Sequence, residues 1–473
     1  MKRIAAALGL IVVSTTIASA ADLPARVYTK APIAQVYDWT GFYLGANVGV
    51  GVDRSQSALS FEPTSPIGSS SVVGAAGVVG GGQIGTNWQM RDIVFGLEAD
   101  IQAAALRDNR TCTLGCEAVV FNSIDQRIDW FGTARGRIGL ATGSVLTYIT
   151  GGLAYGHVKT ENTLHFPTSL VISSDQVRTG WTLGTGVEAA LGGNWTGKVE
   201  YLYLDLGTQS GGASLPPATT ITSSNDIREH IFRAGVNYHF GEPRVVAAAT
   251  AADWGGLYLG ANAGVAIGLN PASRAYDFSG IVPNETYNLS ARGFIGGAQI
   301  GYNWQAGSLV YGLEADIQGS AQRSGDTCLL FCSATISYNN EQQQLNWLGT
   351  VRGRIGYATG SALFYATGGL AYGGLTTKVI ELLPGFTDAY ASSAQTRTGY
   401  TVGGGIETKF DPFGLFGRNW SAKTEYLYVD LGDANQTYTS TIGQTPLNRT
   451  ITSHVQEHIF RTGLNYHFDT ASR

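Results

Sequence analysis

The same unit is written twice along the chain, and no other feature constrains the fold as tightly. DWTGFYLGANVGV from Asp38 returns as DWGGLYLGANAGV from Asp253, and FGLEADIQ from Phe95 returns as YGLEADIQ from Tyr311. ARGRIGLATGS from Ala134 becomes VRGRIGYATGS from Val351, and TGGLAYG occurs at Thr150 and again at Thr367. KVEYLYLDLG from Lys198 becomes KTEYLYVDLG from Lys423, and HIFRAGVNYHF from His230 becomes HIFRTGLNYHF from His458. The copies lie 215 to 228 residues apart. Solenoid repeats have periods of about 20–50 residues, so this is a duplication of a whole domain.

Each copy predicts eight strands. In the first they fall near 39–52, 76–88, 93–106, 126–140, 145–158, 178–191, 195–206 and 228–240. The connections alternate in length. After strands one, three, five and seven they run roughly 20 residues, rich in Ser, Thr, Asn and Pro; after strands two, four and six they are tight, as in QMRD, ATGS and GGN. The second copy repeats this, with one longer turn, DPFGLFGR, from Asp411 to Arg418. Such polarity belongs to a membrane barrel with short turns on the periplasmic side.

Alternation along the strands separates an apolar face from a charged one. Phe95, Leu97, Ala99 and Ile101 oppose Glu98, Asp100 and Gln102. Trp130, Ala134, Ile138 and Leu140 oppose Arg135 and Arg137, and Val199, Tyr201 and Tyr203 oppose Lys198 and Glu200. Trp181, Leu183 and Val187 oppose Glu188, and Phe232, Val236, Tyr238 and Phe240 oppose Arg233 and Asn237. Strand five resists assignment, with apolar residues and glycines on both faces. The apolar faces end in Trp or Tyr and extend for about ten residues, the length that a lipid-crossing strand needs. Only 14% of residues are charged, 11% are aromatic and 64 are Gly. The expected fold is therefore all-β: a transmembrane antiparallel up-and-down β-barrel, as two eight-stranded units in tandem. The alternatives are one 16-stranded barrel, wide enough for an aqueous channel, and a soluble periplasmic or secreted β-barrel with its aromatic face inward.

With the charged face inward, the first lumen holds Glu98, Asp100, Glu188 and Glu200 against Arg135, Arg137, Lys198 and Arg233. The second holds Glu314, Asp316, Glu407 and Glu425 against Arg352, Arg354, Lys423 and Arg461. Four acids meet four bases in each. Buried charges are tolerable only when paired, so the balance predicts a salt-bridged plug in a narrow interior; a proton or ion relay is the rival reading.

Residues 1–20 read as a secretory signal peptide, with Lys2 and Arg3 before an apolar stretch and Ala18-Ser19-Ala20 as the cleavage site. Cleavage takes the net charge from −5 to −7. Residues 21–37 form an N-terminal periplasmic segment, 38–240 and 253–468 the two barrel repeats, 241–252 the linker and 469–473 a tail. With 30 Lys and Arg against 35 Asp and Glu there is no basic footprint for nucleic acid.

On WTGFYLGANVGV from Trp39, ARGRIGLA from Ala134, TGGLAYG at Thr150, EYLYLDLG from Glu200 and HIFRAGVNYHF from His230, the sequence resembles the alphaproteobacterial outer-membrane β-barrel family of the Omp25/RopB type, related to the porin-like opacity and OmpA-transmembrane barrels. The resemblance covers nearly the whole mature chain, twice. It implies location in the outer membrane, with lipid and the barrel-assembly machinery as partners. It also implies a role in envelope integrity and surface contacts through exposed loops. Two departures stand out: the tandem form, and the five residues that follow Phe468, where the family ends on an aromatic.

Cys112 and Cys116, and Cys328 and Cys332, fall in the second long connection of each copy. In an exported chain this predicts two local disulfides; zinc would need further ligands, and no His lies in either segment. GGGQIG at Gly80 fits a nucleotide-loop pattern, but the second copy has GGAQIG and no βαβ unit follows, so the glycines read as packing room. His157 aligns with Gly374. No Ser-His-Asp set or metal cluster recurs in both copies, so no cofactor and no enzyme activity is expected.

Overall fold

The computed structural model describes residues 37–468 except 54, 63–68, 114–120, 166–167, 216–218, 242–251, 277–284, 325–326, 329–337, 383–386, 410, 412–416, 418 and 443–444. The signal peptide, most of the linker, the C-terminal tail, Cys116 and Cys332 lie outside the described residues. So does any pairing of the cysteines.

In the first copy the ring runs β1 (Gly41–Asp53), β4 (Ala76–Met90), β5 (Ile93–Thr113), β6 (Phe121–Thr142), β7 (Val145–His165), β8 (Ser169–Gly192), β9 (Trp195–Leu215) and β10 (Thr219–His239). Every neighbouring pair is antiparallel. The ring then closes, because β1 pairs with β10 from Tyr43↔His239 to Asp53↔Glu229. Short β2 (Ser55–Glu62) and β3 (Ser69–Val73) form a hairpin that carries the wall upward beside β10.

The second copy repeats the ring with β11 (Gly256–Gly268), β14 (Ala291–Ala306), β15 (Leu309–Ser320), β18 (Tyr338–Thr359), β19 (Ala362–Leu382), β20 (Ala389–Lys409), β21 (Trp420–Ile442) and β22 (Thr445–His467). It closes through β11 and β22, from Tyr258↔His467 to Gly268↔Glu457. Its wall is extended by β12 (Asn270–Tyr276), β13 (Glu285–Leu289), β16 (Arg323–Ser324) and β17 (Thr327–Cys328).

Two closed eight-stranded barrels in tandem replace the single 16-stranded alternative. Among the described residues, the strand pairing between the copies is limited to isolated bridges, Thr286↔Cys112 and Cys328↔Ser70. The soluble reading is corrected as well. The apolar faces point outward, with Leu97 57%, Leu153 68%, Leu313 57% and Leu370 68% exposed. Aromatic pairs sit at the turn end, Trp195 with Tyr238 at 5.2 Å and Trp420 with Tyr466 at 5.4 Å. Trp130, Trp181, Trp347 and Tyr400 mark the far edge of the apolar band, as interfacial girdles do.

Three connections expected as long loops are largely strand. β5 reaches Thr113 and β6 starts at Phe121; β7 reaches His165 and β8 starts at Ser169; β9 reaches Leu215 and β10 starts at Thr219. Beyond the bilayer the outer face meets water, so apolar alternation vanishes there while the backbone ladder continues. Strand β7 also yields its orientation. Leu146, Tyr148, Thr150, Ala154 and Val158 are buried, whereas Ile149 and Leu153 are exposed. Both faces carry apolar residues because the interior itself has an apolar tier.

Candidate functional site

The eight charges of each copy meet inside their own barrel. In the first, Arg135 pairs with Glu98 at 2.5 Å, Asp100 at 3.0 Å and Glu200 at 3.1 Å. Arg233 holds Asp100 at 2.9 Å and Glu200 at 2.5 Å. Lys198 holds Glu98 at 2.9 Å, and Arg137 holds Glu188 at 3.1 Å. The second barrel repeats the set: Arg352 on Glu314, on Asp316 at 2.9 Å and on Glu425 at 3.3 Å; Arg461 on Asp316 at 2.7 Å and Glu425 at 2.5 Å; Lys423 on Glu314 at 2.7 Å; Arg354 on Glu407 at 2.9 Å. All sixteen side chains are buried.

The spacing follows from strand geometry. Residues two apart share a face, so Glu98 and Asp100, Arg135 and Arg137, and Lys198 and Glu200 all enter the lumen. The ladder sets Glu98 opposite Arg135 and Glu200 opposite Arg233.

Neutral partners complete each cluster, and apart from Asn237 none of them was among the sequence expectations. Tyr43 donates to Glu98 at 2.7 Å, Tyr148 to Glu200 at 2.9 Å and Thr133 to Asp100 at 2.8 Å. Tyr258 and Tyr365 do the same for Glu314 at 2.7 Å and Glu425 at 2.9 Å. Asn237 donates to Glu188 at 2.8 Å, and Asn465 to Glu407 at 2.7 Å. Their signal was the same inward parity as the charges.

Further tiers lie above and below this ionic layer. Toward the turns, Trp39 and Trp254 are fully buried; the Trp39 backbone N–H donates to Gln89 at 2.7 Å and that of Trp254 to Gln305 at 2.7 Å. On the other side lies an apolar tier of Leu106, Ile128, Phe131, Val158, Leu202 and Leu204, matched in the second barrel by Leu345, Leu348, Leu375, Leu427 and Val429.

At the far end the copies part company. Leu59, Leu164 and Ile221 pack together in the first. The same ladder positions in the second carry Arg274, Glu381 and Arg449. There Arg274 pairs with Glu285 at 3.0 Å and with Glu341, Arg449 pairs with Glu381, and Tyr438 donates to Glu381 at 3.0 Å. This ion network went unseen because its residues fall in segments read as loops.

The outer walls above the girdle differ as well. On the first barrel Arg107 pairs with Asp125 at 2.8 Å, and His157 bridges Asp129 at 3.1 Å and Asp175 at 2.7 Å. On the second, Gln344 donates to Asn346 at 3.2 Å and Asn346 to Thr376 at 2.7 Å. No group of metal-ligating side chains is found among the described residues.

Two closed rings, apolar outside and ionic within, match a known family. Residues 5–240 and again 245–468 match the outer membrane protein beta-barrel domain. The chain belongs to that family, in two copies. Among its relatives, the 31 kDa outer-membrane immunogenic protein of Brucella melitensis is 36% identical over 219 residues, covering 45% of this chain and 88% of the relative. The 22 kDa outer membrane protein of Rhizobium leguminosarum bv. viciae is 32% identical over 180 residues, covering 38% of this chain and 65% of the relative. Among solved structures, Neisserial surface protein A aligns over 42% of this chain and 98% of its own, at 15% identity and a TM-score of 0.22. This tandem member of the family lies in the outer membrane, with lipid around its apolar walls.

Proposed function

We propose that this outer-membrane protein is a non-conducting element of the envelope, with its lumens plugged and its projecting strands presenting contact surfaces. The observation that carries the reading is the stacking of tiers in each lumen: a Trp at the turn end, the eight-charge cluster, then the apolar tier. An eight-stranded barrel is barely wide enough for its own side chains, and an ion entering would have to displace a paired, hydrogen-bonded cluster. The sixteen lumen charges act as a structural core, and the strands beyond the girdle carry the surface chemistry. Insertion through the barrel-assembly machinery and surface ligands at the tips belong to the same reading.

Planar-bilayer recording on purified, refolded chain tests it. Silence or small irregular steps from correctly inserted protein are expected, and stable porin-sized steps would overturn the plugged reading. A strain lacking the protein is expected to become more sensitive to detergents. Unchanged sensitivity would overturn the envelope role.

A further inference from the structure

The two barrels touch through the outer faces of their last strands. Tyr201 stacks on Phe460 at 5.2 Å, Phe232 meets Tyr426 at 5.0 Å, and Phe232 meets Phe460 at 5.9 Å. Val52 joins Ile267 and Leu269 further from the turns, so this contact continues toward the extracellular end. Val145, Val187 and Ala189 meet Ala362 and Ile406 nearer the turns.

Beside these contacts the walls stand apart and leave a crevice of about 700 Å³. Its walls include Val48, Val199, Ala234 and Val236 of the first barrel and Ile355 and Phe364 of the second. Lys198, Glu200, Arg233 and Tyr365 contribute to the lining, yet their polar ends are engaged inside the lumens. The crevice therefore presents no unpaired charge to its contents. It reaches Leu309 and Tyr357 beside the periplasmic turns and ends at Phe232 and Phe460.

The geometry points to a bound glycerophospholipid of the periplasmic leaflet, its acyl chains seated in the crevice between the barrels. Three observations fix the occupant. The walls lie at hydrocarbon depth, where water is absent. An apolar space left empty there would forfeit dispersion contacts on both sides, whereas a chain in the crevice is gripped by two walls instead of one. The aromatic contact closes the extracellular end, so a lipid enters from the periplasmic leaflet. Glycolipid of the outer leaflet is excluded by the same contact. The inference rests on the outer-membrane location and goes beyond the plugged-barrel reading.

The test is lipid analysis of the full chain, extracted in detergent and washed extensively, by native mass spectrometry. Wild-type protein is expected to retain phospholipid. Ala234→Trp, which fills the crevice, is expected to retain several-fold less, and Ala234→Leu an intermediate amount. Ala99→Trp, on an outward position of the same barrel away from the crevice, is expected to match wild type. Heat-modified gel mobility confirms that each variant is folded. Absence of phospholipid from the wild type, retention by folded Ala234→Trp equal to that of wild type, or retention of glycolipid instead would each overturn the proposal. Loss of outer-membrane fractionation by Ala99→Trp and wild type alike would instead count against the membrane reading.

Discussion

Among buried carboxylates, two glutamates of the first barrel make a sharp contrast. Glu98 takes Arg135, Lys198 and Tyr43 at once. Glu229 is 1% exposed, and neither of its carboxyl oxygens has a hydrogen-bond partner among the described residues. Removing one partner of a buried ionic cluster costs about 3–5 kcal/mol, because the remaining charges are left uncompensated. Glu98→Gln is therefore expected to lower the free energy of urea unfolding by that amount. Glu229→Gln, which replaces an unpartnered acid by a neutral isostere, is expected to leave it unchanged or raise it. Equal losses from the two variants would contradict the pairing argument. His454 makes the second case, beyond the girdle. Burial works against its protonation, but Asp433 at 2.6 Å and Asp430 at 3.1 Å outweigh it, so its pKa is raised. A raised folded value means the contribution is fully present below the unfolded pKa of about 6.5 and is lost as pH rises through the folded one. NMR titration should place the His454 midpoint above that of an unstructured histidine, and Asp433→Asn should bring it down.

At the scale of the strand, the ring and its register were readable and the height of the wall was not. Inside the bilayer each outward position needs an apolar side chain, so Leu97, Ala99 and Ile101 alternate with Glu98, Asp100 and Gln102 and announce their strand. Past Trp130 the outward residues become Arg127, Asp125 and Ser123, and nothing in composition separates such a strand from a loop. The tip network of Arg274, Glu341 and Glu381 was hidden for the same reason. The lumen charges were legible because parity alone brings them inward, but the apolar tier over them blurred the faces of β7. Close strand approach leaves one further mark. A Cβ on Gly180 would lie 1.8 Å from the carbonyl oxygen of Asp205, and one on Gly399 would lie 1.8 Å from that of Asp430. Since backbone must move to admit it, Gly180→Ala is expected to destabilise by about 1–3 kcal/mol, read as a lowered Tm. Gly136, with nothing within 4 Å, should accept alanine with little change.

For the molecule as a whole, the tandem is held by more than its linker. Phe232 and Phe460 occupy the same position in the two copies and meet at 5.9 Å, and each also packs on a tyrosine of the other copy. Aromatic pairs contribute about 0.5–1.5 kcal/mol beyond their buried area. With a protease site introduced between residues 241 and 252, the cleaved halves should co-migrate in mild detergent. Phe232→Ala combined with Phe460→Ala should let them separate, and co-migration of that cleaved variant would show that the aromatic contact is dispensable.

Ring closure within each copy also bears on how such a gene changes through time. The last strand of each repeat returns to its own first strand, from Tyr43↔His239 in one and Tyr258↔His467 in the other. Unequal crossing-over between the repeats therefore excises one whole barrel and leaves the survivor's seam intact. The duplication is reversible without a broken intermediate, and each half is free to accumulate its own tip and outer-wall chemistry while the other keeps the original.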